Sequence, residues 1–324
     1  MKLLGLMLLA VCLCDLPAIA GAAQTWPAAE AVRVIVPYGA GSATDIVPRV
    51  VFGQLAPQLG QSIVVENRPG AGGTIGAAFV AAAKPDGYTL LVNSTAHTIA
   101  PALYPHLSYD PARDFAAIAS LGVSPNVLVA APAEGFKTVG DLVAAAKARP
   151  GQLTFASVGV GTATHLSAER FGASAGIKAV HVPFKGGAEA MEEVMAERVN
   201  FFFGPVGLVL PQVRAGKLTA LAVSGAARTP ALPDVPTTRE AGFADAEYPI
   251  WFGLFAAAKT PPAILDQLHD SVQAALQAPQ VRDKLGALGV DPMIMTRAAF
   301  SAYVGQQFSV NATLVKAINL KPEL

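Results

Sequence analysis

The sequence predicts an α/β protein of two lobes, each built on a sheet covered by helices. Three observations lead there. Short, continuously apolar runs bounded by turn residues recur from residue 32 onward, with Ala-rich stretches of helical length between them. Apolar strands separated by helices indicate largely parallel sheets buried on both faces. The runs fall into two groups, before and after about residue 125. The chain's 324 residues, 52% hydrophobic and 14% charged, suffice for two cores and are too apolar for global disorder.

In order, strands are expected at 32–36, 62–66, 89–93 and 115–121, then at 127–131, 153–157, 179–183, 200–203 and 218–224. Helices fall near 44–59, 73–83, 138–148, 162–175 and 187–198. Thr138-x-x-Asp141 fits a capping box, and Pro150-Gly151 stops that helix. Lys84-Pro85-Asp86-Gly87 is a turn between a helix and the strand that follows. Near the C-terminus Trp251 to Phe255 forms a further strand, Pro261-Pro262 opens a helix to about 277, and another spans 279–288. This gives a first lobe of residues 24–125 plus 225–324 and a second of 126–224.

The first 23 residues are set apart as a secretory signal. Lys2 precedes an apolar run from Leu3 to Leu13, and small residues from Ala18 to Ala23 offer cleavage after Ala23, with Ala20 as the alternative. The run is about half the ~20 residues that cross a bilayer. Both cysteines, Cys12 and Cys14, lie inside it, so a chain cleaved after Ala23 has no disulfide, thiolate or Cys-ligated metal. Lys+Arg and Asp+Glu both number 23. A chain without a basic surplus is not built for nucleic acid.

Three strand-to-helix junctions carry Gly or small hydroxyl residues where open α/β sheets bind ligands. They are Val36-Pro37-Tyr38-Gly39-Ala40-Gly41-Ser42-Ala43-Thr44-Asp45, Asn93-Ser94-Thr95-Ala96-His97, and Ser157-Val158-Gly159-Val160-Gly161-Thr162-Ala163-Thr164-His165. Glycine admits close backbone approach, and the following helix start offers free N–H groups and partial positive charge to an anion. The same residues also make ordinary capped turns. Named chemistries fail. There is no P-loop, Gly70-Ala71-Gly72-Gly73-Thr74-Ile75-Gly76 lacks the third dinucleotide glycine and is expected to turn into a helix, and there is no G-x-S-x-G elbow. His97, His106, His165, His181 and His269 make no metal-ligand spacing. His181, in an apolar strand, is expected to be structural, and Lys185 beside glycines reads as a hinge or surface residue.

At these residues the chain resembles the Bug family (TctC-like), the periplasmic solute-binding proteins of tripartite tricarboxylate transporters. The resemblance begins at Val34-Ile35-Val36-Pro37-Tyr38 with its Gly-rich loop and Thr44-Asp45. It continues through Val65-Glu66-Asn67-Arg68-Pro69-Gly70 with Ile75-Gly76, then Pro85-Asp86-Gly87-Tyr88, Asp110-Pro111 with Asp114-Phe115, and His181-Val182-Pro183-Phe184-Lys185-Gly186. Ala215-Gly216-Lys217-Leu218 and Trp251-Phe252-Gly253-Leu254 complete it.

The resemblance implies a periplasmic-binding-protein fold of the Venus-flytrap, class II-like type, with two lobes joined by crossing strands. It implies a periplasmic, non-enzymatic protein that needs no cofactor or metal and is expected to act as a monomer. Its ligand would be a small organic carboxylate and its partner a membrane transporter, or a sensor protein in members that signal. An exported hydrolase or isomerase is the rival class, marked by a nucleophile–base pair in the cleft. On this reading Tyr38, Gly41, Ser42, Ala43 and Thr44 form the first anion loop, and Ser94 and Thr95 add hydroxyls. Ser157, Gly159, Gly161, Thr162 and Thr164 oppose them, with Phe184 and Gly186 near the cleft. Asp45 is expected to cap its helix rather than touch an anion. Two departures stand out. Pro48 is expected to start the first helix nearer Asp45 or to bend it. Gly204 replaces a frequent acidic residue, which disfavours an amine-bearing ligand.

Overall fold

The computed structural model describes residues 26–184, 186–317 and Leu320. The segment expected to be a signal, with its cysteines, and Lys185 lie outside the described residues. The first strands and helices are β1 (Val32–Val36), α1 (Ala43–Leu59), β2 (Ile63–Asn67), α2 (Thr74–Ala81), β3 (Thr89–Ser94), α3 (Ala96–Leu103) and β4 (Phe115–Ser124). A second set follows: β5 (Asn126–Ala130), α4 (Val139–Ala148), β6 (Thr154–Ser157), α5 (Ala163–Ala175), β7 (Val180–Pro183), α6 (Gly187–Met195), β8 (Phe201–Pro205), α7 (Val206–Arg214) and β9 (Thr219–Val223). The chain ends with β10 (Ile250–Ala257), α8 (Pro262–Gln277), α9 (Pro279–Ala287) and α10 (Arg297–Ala317).

Two five-stranded sheets result, in the orders β2-β1-β3-β10-β4 and β7-β6-β8-β5-β9. Each is mixed rather than largely parallel. β1 pairs in parallel with β2 and β3, and β6 with β7 and β8, whereas β10 runs antiparallel to β3 and β4, and β5 to β8 and β9. The antiparallel strands adjoin the crossings: β4 passes through Pro125 into β5, and the return ends in β10. Strand β4, which leaves the first sheet, runs in the direction of β1 and β3, whereas β10, which returns to it, and β5, which enters the second sheet, run against their neighbours.

Both faces of each sheet are buried, which is why the strands read as unbroken apolar runs. In β1, Val34 and Val36 face Val47, Val51 and Leu55 of α1, with Leu268 and Val272 of α8 in the same core. Ile35 takes the opposite face with Ala77 and Val80 of α2 and Phe300 and Val304 of α10. This is the two-residue period of a strand. In the second sheet Leu128 packs with Leu142 and Phe171, and Val129 with Ala190, Val194 and Val209. Each such side chain contributes about 1.5–3 kcal/mol on burial.

The helix signals behave as expected at α4, where Asp141 N–H donates to Thr138 Oγ1 at 3.2 Å and Thr138 N–H to Asp141 Oδ2 at 2.9 Å. Helix α1 differs. It starts at Ala43 and runs through Pro48 and Pro57 rather than starting nearer Asp45. The segment after Gly225, grouped by sequence with the first lobe, packs on the second sheet. Leu232 and Ala246 join its cores, and Thr238 N–H donates to Val223 O at 2.9 Å. The return crossing therefore sits at Tyr248–Ile250, where Tyr248 N–H donates to Ser224 O at 2.9 Å and Asn126 N–H to Ser224 Oγ at 3.0 Å. Among the described residues no helix is long and apolar enough to cross a membrane.

Candidate functional site

Strand direction decides which loops meet. β1 and β3 are parallel neighbours, so the loop after Val36 and the turn at Thr95 leave the same edge of the first sheet. β6 is parallel to both β7 and β8, so the loops after Ser157, Pro183 and Pro205 leave one edge of the second. The two edges touch. A Cβ added to Gly161 would lie 2.6 Å from Leu103 Cδ1, at the end of α3 in the first lobe. Ile99 and Leu103 share a buried cluster with Leu166 of α5, Tyr248, and Leu314 and Val315 of α10.

The first-lobe loop is braced by Asp45. Its Oδ2 accepts the Gly41 N–H at 2.9 Å, and its Oδ1 accepts from Arg49 Nε at 2.8 Å and Asn67 Nδ2 at 2.9 Å. Burial opposes its ionisation, but the Gly41 amide, Asn67 and Arg49 outweigh it and hold the carboxyl below the usual range. Gly41 thus spends its N–H on Asp45 and contributes a left-handed turn, φ +82°. The amides of Ala43 and Thr44 have no partner within the described residues, as the first turn of a helix dictates. Ser42, at the N-cap, makes no side-chain cap, and its Oγ is buried without a hydrogen-bond partner. Thr44 itself is buried in the first turn.

Tyr38 and the β3 end complete this side. Burial raises the Tyr38 phenol well above its ordinary value, against a hydrogen bond from Ser94 that lowers it. The Tyr38 hydroxyl therefore stays protonated, 3.4 Å from Gly72 O and 3.5 Å from Asn93 Oδ1. Ser94 is buried beside it, its N–H donating to Asn93 Oδ1 at 2.8 Å. Thr95 is directed elsewhere: its Oγ1 accepts the Trp251 N–H at 3.2 Å, tying α3 to β10.

The second-lobe loop holds itself. Thr162 Oγ1 donates to Gly159 O at 2.7 Å, Val158 N–H to Thr164 Oγ1 at 3.0 Å, and Gly161 N–H to His165 Nδ1 at 3.1 Å. The last bond requires that nitrogen to be unprotonated. The amides of Ala163, Thr164 and His165 have no partner among the described residues. Beneath the loop, His165 and His181 stack at 3.8 Å with Phe155 against them. Burial, with His165 adding to it, pushes His181 down to about 4. Phe184 N–H donates to Ser157 O at 2.9 Å, and its ring packs on the second core. Gly186 is the extended N-cap of α6.

Ser157 and His181 form the one nucleophile–base pair of this loop, since Ser157 Oγ contacts His181 Nε2. It is not built to attack. Ser157 is 0% exposed, and its Oγ accepts the Gly159 N–H at 3.0 Å and lies 3.2 Å from Gly159 O. Among the described residues no carboxylate hydrogen-bonds to His181 to orient it as a general base. Gly204, noted for the acid it lacks, has no space for one: an added Cβ would meet Val209 Cγ1 at 2.5 Å and Phe202 at 2.6 Å. Among the described residues no group of three or more His, Cys, Asp or Glu could hold a metal.

Leu103 and Tyr104 escape a sequence reading. An added Cβ at Gly72 would lie 2.4 Å from Tyr104 Oη, so Tyr104 lies against the Gly70–Gly73 turn beside Tyr38. The local sequence marks them only by the apolar residues Ile99 to Leu103 that follow Thr95. What assembles is two helix starts with free amides on facing edges, one buried unpaired hydroxyl, and no Lys or Arg in either loop. Such an arrangement suits a carboxylate.

Known proteins share this sequence pattern and this fold. The model described as tripartite tricarboxylate transporter family receptor matches residues 47–320. Protein BugT of Bordetella pertussis is 33% identical over 301 residues, covering 92% of each chain. The structure of R. palustris Rpa4515 with adipate is 30% identical, with TM-score 0.80 over 92% of this chain and 100% of that one. MatC of Rhodopseudomonas palustris with bound malate is 32% identical, with TM-score 0.76 over 89% and 99%. The fold is thus the two-lobed periplasmic-binding-protein fold, and its relatives are solute-binding proteins, not enzymes. The chain belongs to the tripartite tricarboxylate transporter receptor family, the Bug or TctC-like solute-binding proteins.

Proposed function

We propose that this protein is a periplasmic receptor that captures a small mono- or dicarboxylate between its lobes and delivers it to a tripartite tricarboxylate-type transporter. The observation that carries the reading is the unpaired, buried Ser42 Oγ beside the free amides of Ala43 and Thr44, set opposite the free amides of α5. Relatives solved with adipate and malate support the ligand class. A helix start stabilises an anion by about 0.3–1 kcal/mol at the surface and up to ~2 when partly buried. Hydrogen bonds to a charged group add about 1.5–3 kcal/mol each, so no arginine is required. The packing around Gly204 leaves an ammonium without a counter-charge there, which favours acids over amino acids.

Calorimetry of the mature protein with adipate, malate and their diamides tests the reading. The acids should bind and the diamides should not, with the ligand recovered chemically unchanged. Diamides that bind as well as the acids would sink it.

A further inference from the structure

A strut of buried hydrogen bonds joins the two lobes at the return crossing, and its side chains are not the candidate ligand contacts. On the second lobe Asn126 Nδ2 donates to Ser167 Oγ of α5 at 2.8 Å, and Ser167 Oγ donates to Tyr248 O at 3.0 Å. Ser224 Oγ donates to the same carbonyl at 3.2 Å. On the first lobe the Tyr248 hydroxyl donates to Asn311 Oδ1 of α10 at 2.6 Å, and Asn311 Nδ2 donates to Thr98 Oγ1 of α3 at 2.7 Å. Thr98 Oγ1 in turn donates to Thr95 O at 2.9 Å. Tyr248 is the joint: its carbonyl takes the bonds from the second lobe, and its hydroxyl gives the bond to the first. It is 3% exposed, Thr98 is 1% exposed, and the other side chains of the strut are 0% exposed.

The strut ends on both edges of the candidate site. Ser167 stands one turn past the start of α5, whose first amides are free, and Thr95 caps α3, which brings Leu103 to Gly161. Stability alone does not call for polar groups here. A bonded pair replaced by apolar groups of the same shape is nearly neutral, and the surrounding cluster of Ile99, Leu103, Leu166, Leu314 and Val315 is already apolar. What directional bonds add is a single arrangement, because a buried polar network specifies one packing among several. Burial raises the Tyr248 phenol well above its ordinary value, so the hydroxyl remains a donor.

We propose that Tyr248 is a positioning residue for ligand capture: through Ser167 and Asn311 it fixes the start of α5 at one distance and angle from α3, so that both lobes meet a bound anion together. The ligand in this proposal rests on the carboxylate reading above; the geometry does not.

The test uses the chain from residue 24, which holds no cysteine of its own, spin-labelled at Lys147→Cys on α4 and Lys284→Cys on α9, both exposed. Pulsed electron–electron measurements give the distance between lobes, calorimetry of the unlabelled proteins gives adipate and malate affinity, and denaturant unfolding gives stability. Tyr248→Phe keeps the ring and removes one bond. It should broaden the interlobe distances relative to the parent and lower affinity about tenfold, the worth of one hydrogen bond. Tyr248→Phe combined with Asn311→Leu removes both partners of that bond. It should recover most of the stability that Tyr248→Phe loses, since Asn311 Oδ1 is no longer stranded, while the distances stay broad and affinity stays low. A bond that serves the fold alone would give affinity back with stability. The proposal is overturned by Tyr248→Phe distances as narrow as the parent's, or by a double variant whose distances and affinity return to the parent's. A parent that binds neither acid refutes the carboxylate reading instead, and the interlobe distances of the unliganded proteins then decide this proposal by themselves.

Discussion

Ser42, at the N-cap of α1, and Ser157, at the end of β6, belong to the two strand-to-helix junctions and use their hydroxyls in opposite ways. Ser157 is committed to the fold through Gly159 and His181. Ser42 is committed to nothing. Removing a hydroxyl that makes no native bond costs the fold little, whereas removing one that satisfies a buried N–H leaves that donor stranded. Ser42→Ala should therefore leave stability within about 0.5 kcal/mol. It should also weaken carboxylate binding about tenfold or more, the value of one hydrogen bond to a charged group. Ser157→Ala should lower stability by about 1–3 kcal/mol. Denaturant unfolding paired with calorimetry separates the two. A Ser42→Ala protein that unfolds easily yet binds like the parent would show that this hydroxyl serves the fold alone. Asp45 belongs to the same accounting: a carboxylate beside the proposed anion site is tolerable because Gly41, Arg49 and Asn67 already neutralise and enclose it.

Among the elements, the loop that starts α5 makes one interlobe contact, and the start of α7 makes another where Gly207 lies against Leu288. Gly161 has φ +74°, and its missing Cβ gives Leu103 of α3 its place. Gly161→Val should cost about 1–3 kcal/mol of backbone strain. By displacing Leu103 it should also hold the lobes apart, which small-angle scattering would register as a larger radius of gyration, with carboxylate affinity lost. Leu103→Ala in the same protein should restore compactness but not the strain; an unchanged radius in Gly161→Val would refute the contact's role in closure. This contact was not legible in the sequence, because it joins a glycine of one lobe to a leucine of the other. The strands were legible, since burial on both faces makes each a continuous apolar run. The helices that slipped past were α3 and α7, which contain Pro101 and Pro211, and α10, whose buried stripe of Phe300, Val304, Leu314 and Val315 is interrupted by Asn311. Asn311 is polar there for a nonlocal reason: it donates to Thr98 Oγ1 at 2.7 Å and accepts from Tyr248 at 2.6 Å. The two candidate loops were visible as glycine and hydroxyl clusters, but which of their polar groups are free and which are spent depends on His181, Asp45 and Trp251, residues that the fold alone brings near.

For the molecule as a whole, two histidines, the buried His97 and the half-buried His181, set how stability responds to acid. In the unfolded chain a histidine takes up its proton near pH 6.5. In the native state burial holds His97 at about 4, and burial together with His165 holds His181 at about 4. Between those values the unfolded chain binds protons that the native chain refuses, so stability rises with pH across that window. It is complete above about pH 6.5 and declines as the pH falls toward 4. The carboxylates held low, Asp45 and Glu66 among them, act in a separate and lower window: their contribution is present above about pH 4 and is lost only as the pH falls through it. His97, at 2% exposure, accounts for up to about 3 kcal/mol of the histidine effect; His181, more exposed, accounts for less. Acid should thus destabilise the protein in two stages, histidines first. Unfolding free energies measured from pH 7.5 to 4.5 should fall steadily in the parent and less steeply in His97→Phe. The His181→Phe change should remove a smaller share of the slope and should also loosen the loop whose Ser157 it contacts. A parent whose stability is flat from pH 6.5 to 4.5 would mean that both rings titrate in the native state as freely as in the unfolded one, and that the aromatic cage around His97 admits a charge.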